Sequence, residues 1–378
     1  MKKKQILVLT DHMPWGHRSI AKAIYNFLKS KEKESNIEVN YVEVKMSFSV
    51  LTDLYVFMYR YLPLSNKLSN LMMESESLRD IFLEMTDNNL PPLKKVVDKY
   101  KPDLIISSYF LHSQSLARWK EQKNKKYDLW TVVADPWTVN PISFVKGADL
   151  HLVYDEVCFN IALKYGIDPN KILKTGWWVR QREHNFQKSN LQFPINNGPV
   201  IFFGGGSLGT NAITKFLPIL LMIKQKCTII FNTGTDKLAF KMVAQFVKMF
   251  DRLNKNKNVK IINLGWIENM TEILSQVDIV FGKAGPNFLF DVVAARKPFV
   301  AITHIGGQED GNIELIKKKK LGWVKEGLGE AEDFLLEYLK NPEKYNQMYI
   351  KSIEKEASNN EKTMEKIWDK ILRQAQDK

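Results

Sequence analysis

Short apolar runs alternate with longer stretches of mixed apolar and polar residues along nearly the whole chain. A run of four to six apolar residues bounded by turn residues reads as a strand buried on both faces, and the amphipathic stretch after it as a helix laid across the sheet. Repetition of that pair predicts βα units around parallel sheets, an α/β architecture. The first strand is expected over Gln5 to Thr10 and its helix over Ser19 to Ser30. Further strands are expected at Glu38 to Val44, Leu104 to Ser107, Leu129 to Val133 and Leu150 to Val153. A second series follows at Val200 to Phe203, Thr228 to Asn232, Val259 to Asn263, Ile279 to Phe281 and Phe299 to Thr303. Between the two series, Arg180 to Pro199 is polar and closes on Pro194, Asn196, Asn197, Gly198 and Pro199, which is linker chemistry. A boundary near 195 divides a first domain, 1–195, from a second, 196–343. A closing segment, 344–378, is expected to hold one amphipathic helix from about Lys344 to Arg373 and to fray from Gln374 to Lys378.

One segment breaks the rhythm. Met46 to Pro92 carries Phe48, Leu51, Leu54, Tyr55, Phe57, Met58, Tyr59, Tyr61, Leu62, Leu71 and Met72, too apolar for a solvated loop. Helices packed on the first domain or in a dimer contact are one reading, and an interfacial helix touching lipid is the other; the first is favoured from composition alone.

The composition fits two globular domains: 378 residues, 44% hydrophobic and 26% charged. Fifty-five Lys and Arg against 42 Asp and Glu give a net charge of +13, which favours anionic partners. The excess is spread over both halves and forms no basic tail, so it does not choose among those partners. Cys158 and Cys227 lie far apart in apolar surroundings, which excludes a disulfide scaffold or a zinc ribbon and points to a reducing cytosol. Lys2 to Lys4 precede only a short apolar run, Ile6 to Leu9, unlike a signal peptide. With no uninterrupted run of about 18 apolar residues, any membrane contact is expected to be peripheral.

Candidate chemistry gathers where strands end. Val200 to Phe203 runs into Gly204-Gly205-Gly206-Ser207-Leu208-Gly209 ahead of a helix, so the backbone can approach a phosphate and a helix N-terminus can face it. Gly204, Gly206 and Gly209 satisfy the dinucleotide spacing, but the next expected strand ends at Asn232 with no acidic residue for a ribose, which weakens a nicotinamide reading. A tight turn without ligand is the bland alternative. Two more turns follow strands in the same half, Gly282-Lys283-Ala284-Gly285-Pro286-Asn287 and His304-Ile305-Gly306-Gly307-Gln308-Glu309-Asp310-Gly311-Asn312. Three such turns at the carboxyl ends of one sheet suit a diphosphate, with Asp291, Gln308, Glu309 or Asn312 available for ribose or sugar hydroxyls and Lys283 for leaving-group charge. A solvated acidic loop is the alternative for Glu309 and Asp310.

In the first half, His17 follows the first strand at an expected helix start, where the dipole disfavours imidazolium and keeps a proton-accepting ring. Asp135, in Ala134-Asp135-Pro136-Trp137-Thr138, ends another strand of that sheet. A lone histidine in a turn is more often structural. No Asp-X-Asp pair and no zinc-spaced Cys/His cluster occurs.

These motifs resemble the lipid-acceptor glycosyltransferases: monogalactosyldiacylglycerol synthases, processive diacylglycerol glucosyltransferases and, more remotely, MurG-type enzymes. Gly16-His17-Arg18-Ser19 is similar to that family's Gly-Gly-Gly-His-Arg turn, with Pro14 and Trp15 in place of the first two glycines. Pro102 to Ser107, Thr131 to Asp135 and Gly176 to Arg180 resemble its acceptor-domain segments. Gly204 to Gly209, Gly265-Trp266-Ile267-Glu268-Asn269-Met270, Lys283-Ala284-Gly285-Pro286 and Gly307 through Asn312 follow in order. Asn287 and Phe288 stand where the family has Gly-Thr, and Asp291 where it has Glu.

The resemblance implies a GT-B fold, two Rossmann-like domains facing a cleft with the terminal helix crossing back to the first. It implies an inverting, metal-independent hexosyltransferase with no cofactor, using a UDP-sugar as co-substrate and a membrane lipid, diacylglycerol-type or polyprenyl-linked, as acceptor. His17 would be the base and Asp135 a possible partner. Donor contacts would come from Gly204, Gly205, Gly206, Gly209, Lys283, Gly285, Pro286, Asp291, Gln308, Glu309 and Asn312. Acceptor or membrane contacts would come from Trp15, Gly16, Tyr55, Phe57, Tyr61 and Trp137. An anionic membrane surface, but no nucleic acid, would be a partner of a cytoplasmic, peripherally bound protein. Two other classes share the architecture: a UDP-N-acetylglucosamine 2-epimerase, and a non-catalytic nucleotide- or lipid-binding subunit.

Overall fold

The apolar runs form strands, and the strands form two separate parallel sheets. The structure is a computed structural model that describes residues 3–12, 16–45, 72–85, 90–178, 197–204, 210–253, 258–267 and 270–376. The chain divides into two compact units. One comprises residues 1–182, 306–308 and 359–378, the other 183–305 and 309–358.

The first unit holds β1 (Lys4–Asp11), β2 (Ile37–Val44), β3 (Leu104–Ser107), β4 (Asp128–Val132), β5 (Leu150–Val153) and β6 (Ile172–Lys174), in the order β2-β1-β3-β4-β5-β6. Its helices are α1 (Gly16–Lys31), α2 (Glu76–Met85), α3 (Leu90–Tyr100), α4 (Phe110–Gln122) and α5 (Glu156–Lys164). β1, β3 and β4 are apolar and buried on both faces because helices cover both sides of the sheet. Leu7, Ile105 and Leu129 join Leu116 and Trp119 in one core cluster. β6 is an edge strand of three residues, too short to leave a periodicity in the sequence.

The second unit holds β7 (Val200–Gly204), β8 (Cys227–Asn232), β9 (Val259–Leu264), β10 (Ile279–Lys283), β11 (Phe299–Thr303) and β12 (Gly322–Val324), in the order β12-β11-β10-β7-β8-β9. Its helices include α6 (Thr210–Thr214), α7 (Lys237–Leu253), α8 (Met270–Leu274), α9 (Pro286–Ala294), α10 (Asp310–Lys318) and α11 (Leu328–Lys340). The parallel register sets Phe203 of β7 beside Phe231 of β8 and Phe281 of β10. Their rings stack at 5.1 Å and 4.9 Å between centroids, an aromatic ladder across three strands at the centre of this core.

The single closing helix expected from Lys344 is instead three: α12 (Pro342–Met348), α13 (Ile350–Glu361) and α14 (Thr363–Gln376). The break at Tyr349, with φ −118° and ψ 9°, turns its ring onto Trp323 at 5.1 Å between centroids. Within the first unit, the junction of α13 and α14 grips the chain leaving β6. Asn360 Oδ1 accepts the Trp177 N–H at 2.8 Å, and the Thr363 hydroxyl and the Lys366 ammonium donate to the Thr175 carbonyl at 3.0 and 3.1 Å. Gly176 sits between them at φ +94°, where a Cβ would lie 2.6 Å from Thr363 Oγ1.

Of the apolar segment Met46 to Pro92, the structure describes Met72 to Met85 and Leu90 to Pro92; Tyr55, Phe57 and Tyr61 lie outside the described residues. In the described part, Met73 and Leu83 pack against Tyr109, Leu111 and Ile142, the packing expected of helices laid on the first domain. No helix among the described residues is long and apolar enough to cross a membrane.

Candidate active site

β1, β3 and β4 are neighbours, and the segments after them carry His17, Ser108 and Asp135 at the same end of the sheet. α1 begins at Gly16, so His17 occupies its first turn. The Ser108 backbone N–H donates to the Leu9 carbonyl at 3.0 Å, which fixes the chain just beyond β3 against β1. The Ser108 hydroxyl donates to the His17 carbonyl at 2.9 Å and lies 2.8 Å from the Thr10 hydroxyl, which supplies the proton of that second contact. His17 Nδ1 is 2.8 Å from the Ser108 carbonyl oxygen. A carbonyl only accepts, so Nδ1 carries the proton and Nε2 is the basic nitrogen.

Tyr109 and Phe110 meet the His17 ring edge-on at 5.4 and 6.3 Å. Although part of the residue stays accessible, burial of the ring pushes its pKa down to about 4, with the Ser108 carbonyl opposing. The imidazole is therefore neutral, as the position at a helix start suggested, but burial is the larger cause.

A second histidine, not singled out by the sequence, lies deeper. His112 on α4 is fully buried, with its ring edge-on to Tyr109 at 5.0 Å and its Nε2 4.0 Å from Asp11 Oδ2. Burial, and then the nearness of His17, push its pKa down to about 3. One histidine inside a helix of mixed composition carries no sequence signal; only folding brings it near Asp11 and His17.

Asp135 lies three residues past β4, and β4 is separated from β1 by β3. The group that orients His17 is the Ser108 carbonyl. Trp137 is half-buried, and its indole N–H reaches the Asp155 carboxylate at 3.2 Å, the same carboxylate that caps α5 through the Val157 N–H at 3.1 Å. Gly16 opens α1, and Trp15 lies outside the described residues.

In the second unit β7, β10 and β11 are adjacent, so the three glycine turns leave neighbouring strands at one end of the sheet. Gly205, Gly206 and Gly209 lie outside the described residues. At Gly204 the room left by the missing side chain is taken by protein: a Cβ would lie 2.5 Å from Phe202 and 2.8 Å from Phe288. At Gly282 it would lie 2.3 Å from the Gly204 carbonyl oxygen and 2.6 Å from Phe288. Phe288, one of the two residues that depart from the Gly-Thr of the resembling family, thus fills the space over two glycines. The expectation that Gly204 lets a ligand approach is replaced, at that residue, by packing.

The next turn is tightly built. Glu309 is buried, so it is not part of a solvated acidic loop; its carboxylate pairs with the Lys283 ammonium and accepts the Ile305 N–H at 2.8 Å. Lys283 is thereby held at the mouth of β10 by a protein carboxylate. Gly285 faces this pair, with a Cβ position 3.0 Å from Lys283 Nζ and 3.4 Å from Glu309 Oε1. Gly285 caps α9 in extended conformation without a side-chain hydrogen bond, and Pro286 is the first helical residue. Pro286 brings no N–H and the Gly285 N–H donates to the Lys283 carbonyl at 2.8 Å, so the first turn of α9 could offer an anion at most the N–H groups of Asn287 and Phe288. Asn312 is buried on α10 and donates to the Ala284 carbonyl at 2.7 Å, and its buried Oδ1 meets no hydrogen-bond partner among the described residues. Lys283, Gly285, Glu309 and Asn312 thus form one cluster; Asp291 is buried within α9, and Gln308 is half-buried in the turn before α10.

At the edge of this turn, His304 lies between two carboxylates, Nδ1 2.5 Å from Glu326 and Nε2 2.9 Å from Asp310. Burial opposes its charge, but Glu326 and Asp310 outweigh it and raise the pKa. Among the described residues no group of three or more His, Cys, Asp or Glu is placed to hold a metal ion.

Two six-stranded parallel sheets, each flanked by helices, give the chain the GT-B fold. Acinetobacter baumannii MurG shares the fold, with a TM-score of 0.61 and 14% identity over 98% of this chain and 99% of that one. So does S. aureus MnaA, described in a co-structure with UDP, with a TM-score of 0.61 and 13% identity over 99% of this chain and 97% of that one. By sequence, residues 17–179 match the monogalactosyldiacylglycerol synthase family and residues 200–367 the C-terminal domain of glycosyltransferase family 28, so each half of the chain is similar to a glycosyltransferase domain. It is 23% identical over 364 residues to a processive diacylglycerol beta-glucosyltransferase of Bacillus licheniformis, covering 91% of this chain and 89% of that relative.

Proposed function

We propose that the protein moves a hexose from a UDP-sugar to a diacylglycerol-type membrane lipid, with inversion at the anomeric carbon and without a metal. The observation that carries this reading is the neutral His17 ring, whose Nδ1–H is committed to the Ser108 carbonyl so that Nε2 is the proton acceptor. The lipid hydroxyl gives its proton to Nε2 while its oxygen attacks the anomeric carbon; the new C–O bond forms as the bond to the β-phosphate oxygen breaks, and UDP departs from the opposite face. The N–H groups at the start of α9 receive the diphosphate charge, and the ammonium of Lys283, steadied by Glu309, adds a cation beside it. Asp135 acts on the acceptor side, and Asp291, Gln308 and Asn312 serve the ribose and sugar. The matched acceptor-half family and the name of the Bacillus relative support the lipid.

The test is to incubate the full chain with UDP-glucose, UDP-galactose or UDP-N-acetylglucosamine and diacylglycerol vesicles, with and without chelator, and to measure UDP and glycolipid. Glycolipid of inverted configuration at a chelator-insensitive rate is expected. Sugar interconversion without acceptor would assign the protein to the epimerases, and UDP binding without turnover to the non-catalytic class.

A further inference from the structure

The second unit carries an amphipathic helix whose apolar residues do not all face its own core. In α7, Ala239, Val243 and Phe250 are buried against the sheet. Leu238, Met242, Met249 and Leu253 are 69%, 45%, 44% and 60% exposed. At about 100° per residue these four fall within a sector of about 60°, one continuous stripe along the shoulder of the helix. Lys241, Lys248 and Arg252 are exposed along one border of that stripe, and Lys237 lies just beyond them. The helix has one acidic residue, Asp251, on the side away from the stripe.

An exposed apolar stripe bordered on its solvent side by lysine and arginine, with only the neutral Gln245 among them, is the pattern of a helix that lies in a membrane interface, its apolar side chains in the acyl boundary and its lysine and arginine heads among anionic headgroups. We propose that α7 is a membrane-docking helix of the second unit, and that its partner is an anionic lipid surface. Charge complementarity selects this occupant: a second copy of the chain would present the same cationic border, and this helix has no acidic residue beside the stripe to receive it. The net charge of +13 acts in the same direction. The stripe shares no residue with the apolar segment Met46 to Pro92, and it requires no sugar donor, so a chain that moves no sugar would still show it.

Cosedimentation of the full chain with vesicles of phosphatidylglycerol and phosphatidylcholine in equal parts tests this, with phosphatidylcholine alone as the comparison. Binding to the anionic vesicles that weakens as salt rises is expected. A variant with Leu238→Ser, Met242→Ser, Met249→Ser and Leu253→Ser should lose at least tenfold in vesicle affinity at an unchanged thermal midpoint, since all four side chains are exposed. Lys241→Gln, Lys248→Gln and Arg252→Gln together should remove most of the salt-sensitive part. An environment-sensitive fluorophore on Met249→Cys, attached while the buried Cys158 and Cys227 stay unreactive, should shift to the blue on adding anionic vesicles. Wild-type vesicle affinity in the four-serine variant, or an unshifted label, overturns the proposal. So does a dimer of the wild type that the serine variant abolishes, which would assign the stripe to a second copy.

Discussion

His17 shows how one residue's chemistry depends on what folds around it. Its folded pKa of about 4 lies below the ordinary 6.5, so the ring stays neutral until the pH falls well under the usual histidine range. If Nε2 is the base, kcat/KM should stay flat from neutrality down to about pH 5, with an acid limb near 4; a limb near 6.5 would mean that the catalytic base is a solvated group elsewhere. His17→Ala should cost about 10²- to 10⁴-fold in turnover and leave UDP affinity, measured by calorimetry, unchanged. Lys283 and Glu309 offer a second test at this scale. Glu309→Gln leaves a mostly buried ammonium without its carboxylate and should destabilise the second unit by roughly 3 kcal/mol in urea unfolding, as loss of one partner of a buried pair does. Adding Lys283→Met should recover most of that loss. The types of these residues were readable in the sequence, but the Lys283–Glu309 pair and the nearness of His112 to His17 were not, because each joins positions far apart in the chain.

At the scale of elements, the longer strands were legible, the edge strands β2 and β9 among them, and the two three-residue edge strands were not. β3, β5 and β11 fall where the apolar pattern puts them because both of their faces are buried and each run is almost entirely apolar. β6 and β12, three residues each, lie at sheet edges and leave no such run. The glycines after the strands were read as room for a ligand, and at Gly204 and Gly282 the structure shows protein packing in the space a side chain would take. Gly282 is needed because the Gly204 carbonyl of the neighbouring strand lies where a side chain would begin. Gly282→Ala should therefore destabilise by about 1 to 3 kcal/mol through overpacking, and Phe288→Ala should not rescue it, since the 2.3 Å contact is with backbone. Rescue to wild-type stability in a denaturant series would place the conflict at Phe288 instead.

For the whole molecule, the two units should answer pH in opposite directions. His17, His112 and His151 of the first unit all have pKa values lowered by burial, to about 4, 3 and 4. Unfolding lets each take up a proton at its ordinary pKa, so this unit loses stability as pH falls from about 6.5 toward 4, by about 1.4 kcal/mol per pH unit for each group at most. His304 of the second unit has a raised pKa, so its contribution is complete below 6.5 and is lost as pH rises through the folded value. Hydrogen exchange followed peptide by peptide between pH 7 and 5 should show protection of β1 to β6 falling first. Replacing His112 with Phe, which removes a buried ring whose nitrogens have no hydrogen-bond partner among the described residues, should flatten that fall.

The sequence alone determined the two α/β halves, the longer strands and the resemblance to glycosyltransferases, because these rest on local patterns: apolar runs, glycines after strands and short ordered motifs. Only the tertiary structure decided what those residues do to one another. It set the tautomer of His17 through Ser108, 91 positions away, and lowered its pKa by burying the ring. It gave Phe288 the space over Gly204 and Gly282, broke the closing helix at Tyr349 to meet Trp323, and turned an apolar stripe of α7 outward. Hydrophobic periodicity says which residues seek burial, but burial itself, and every contact it permits, depends on which distant segments arrive beside them.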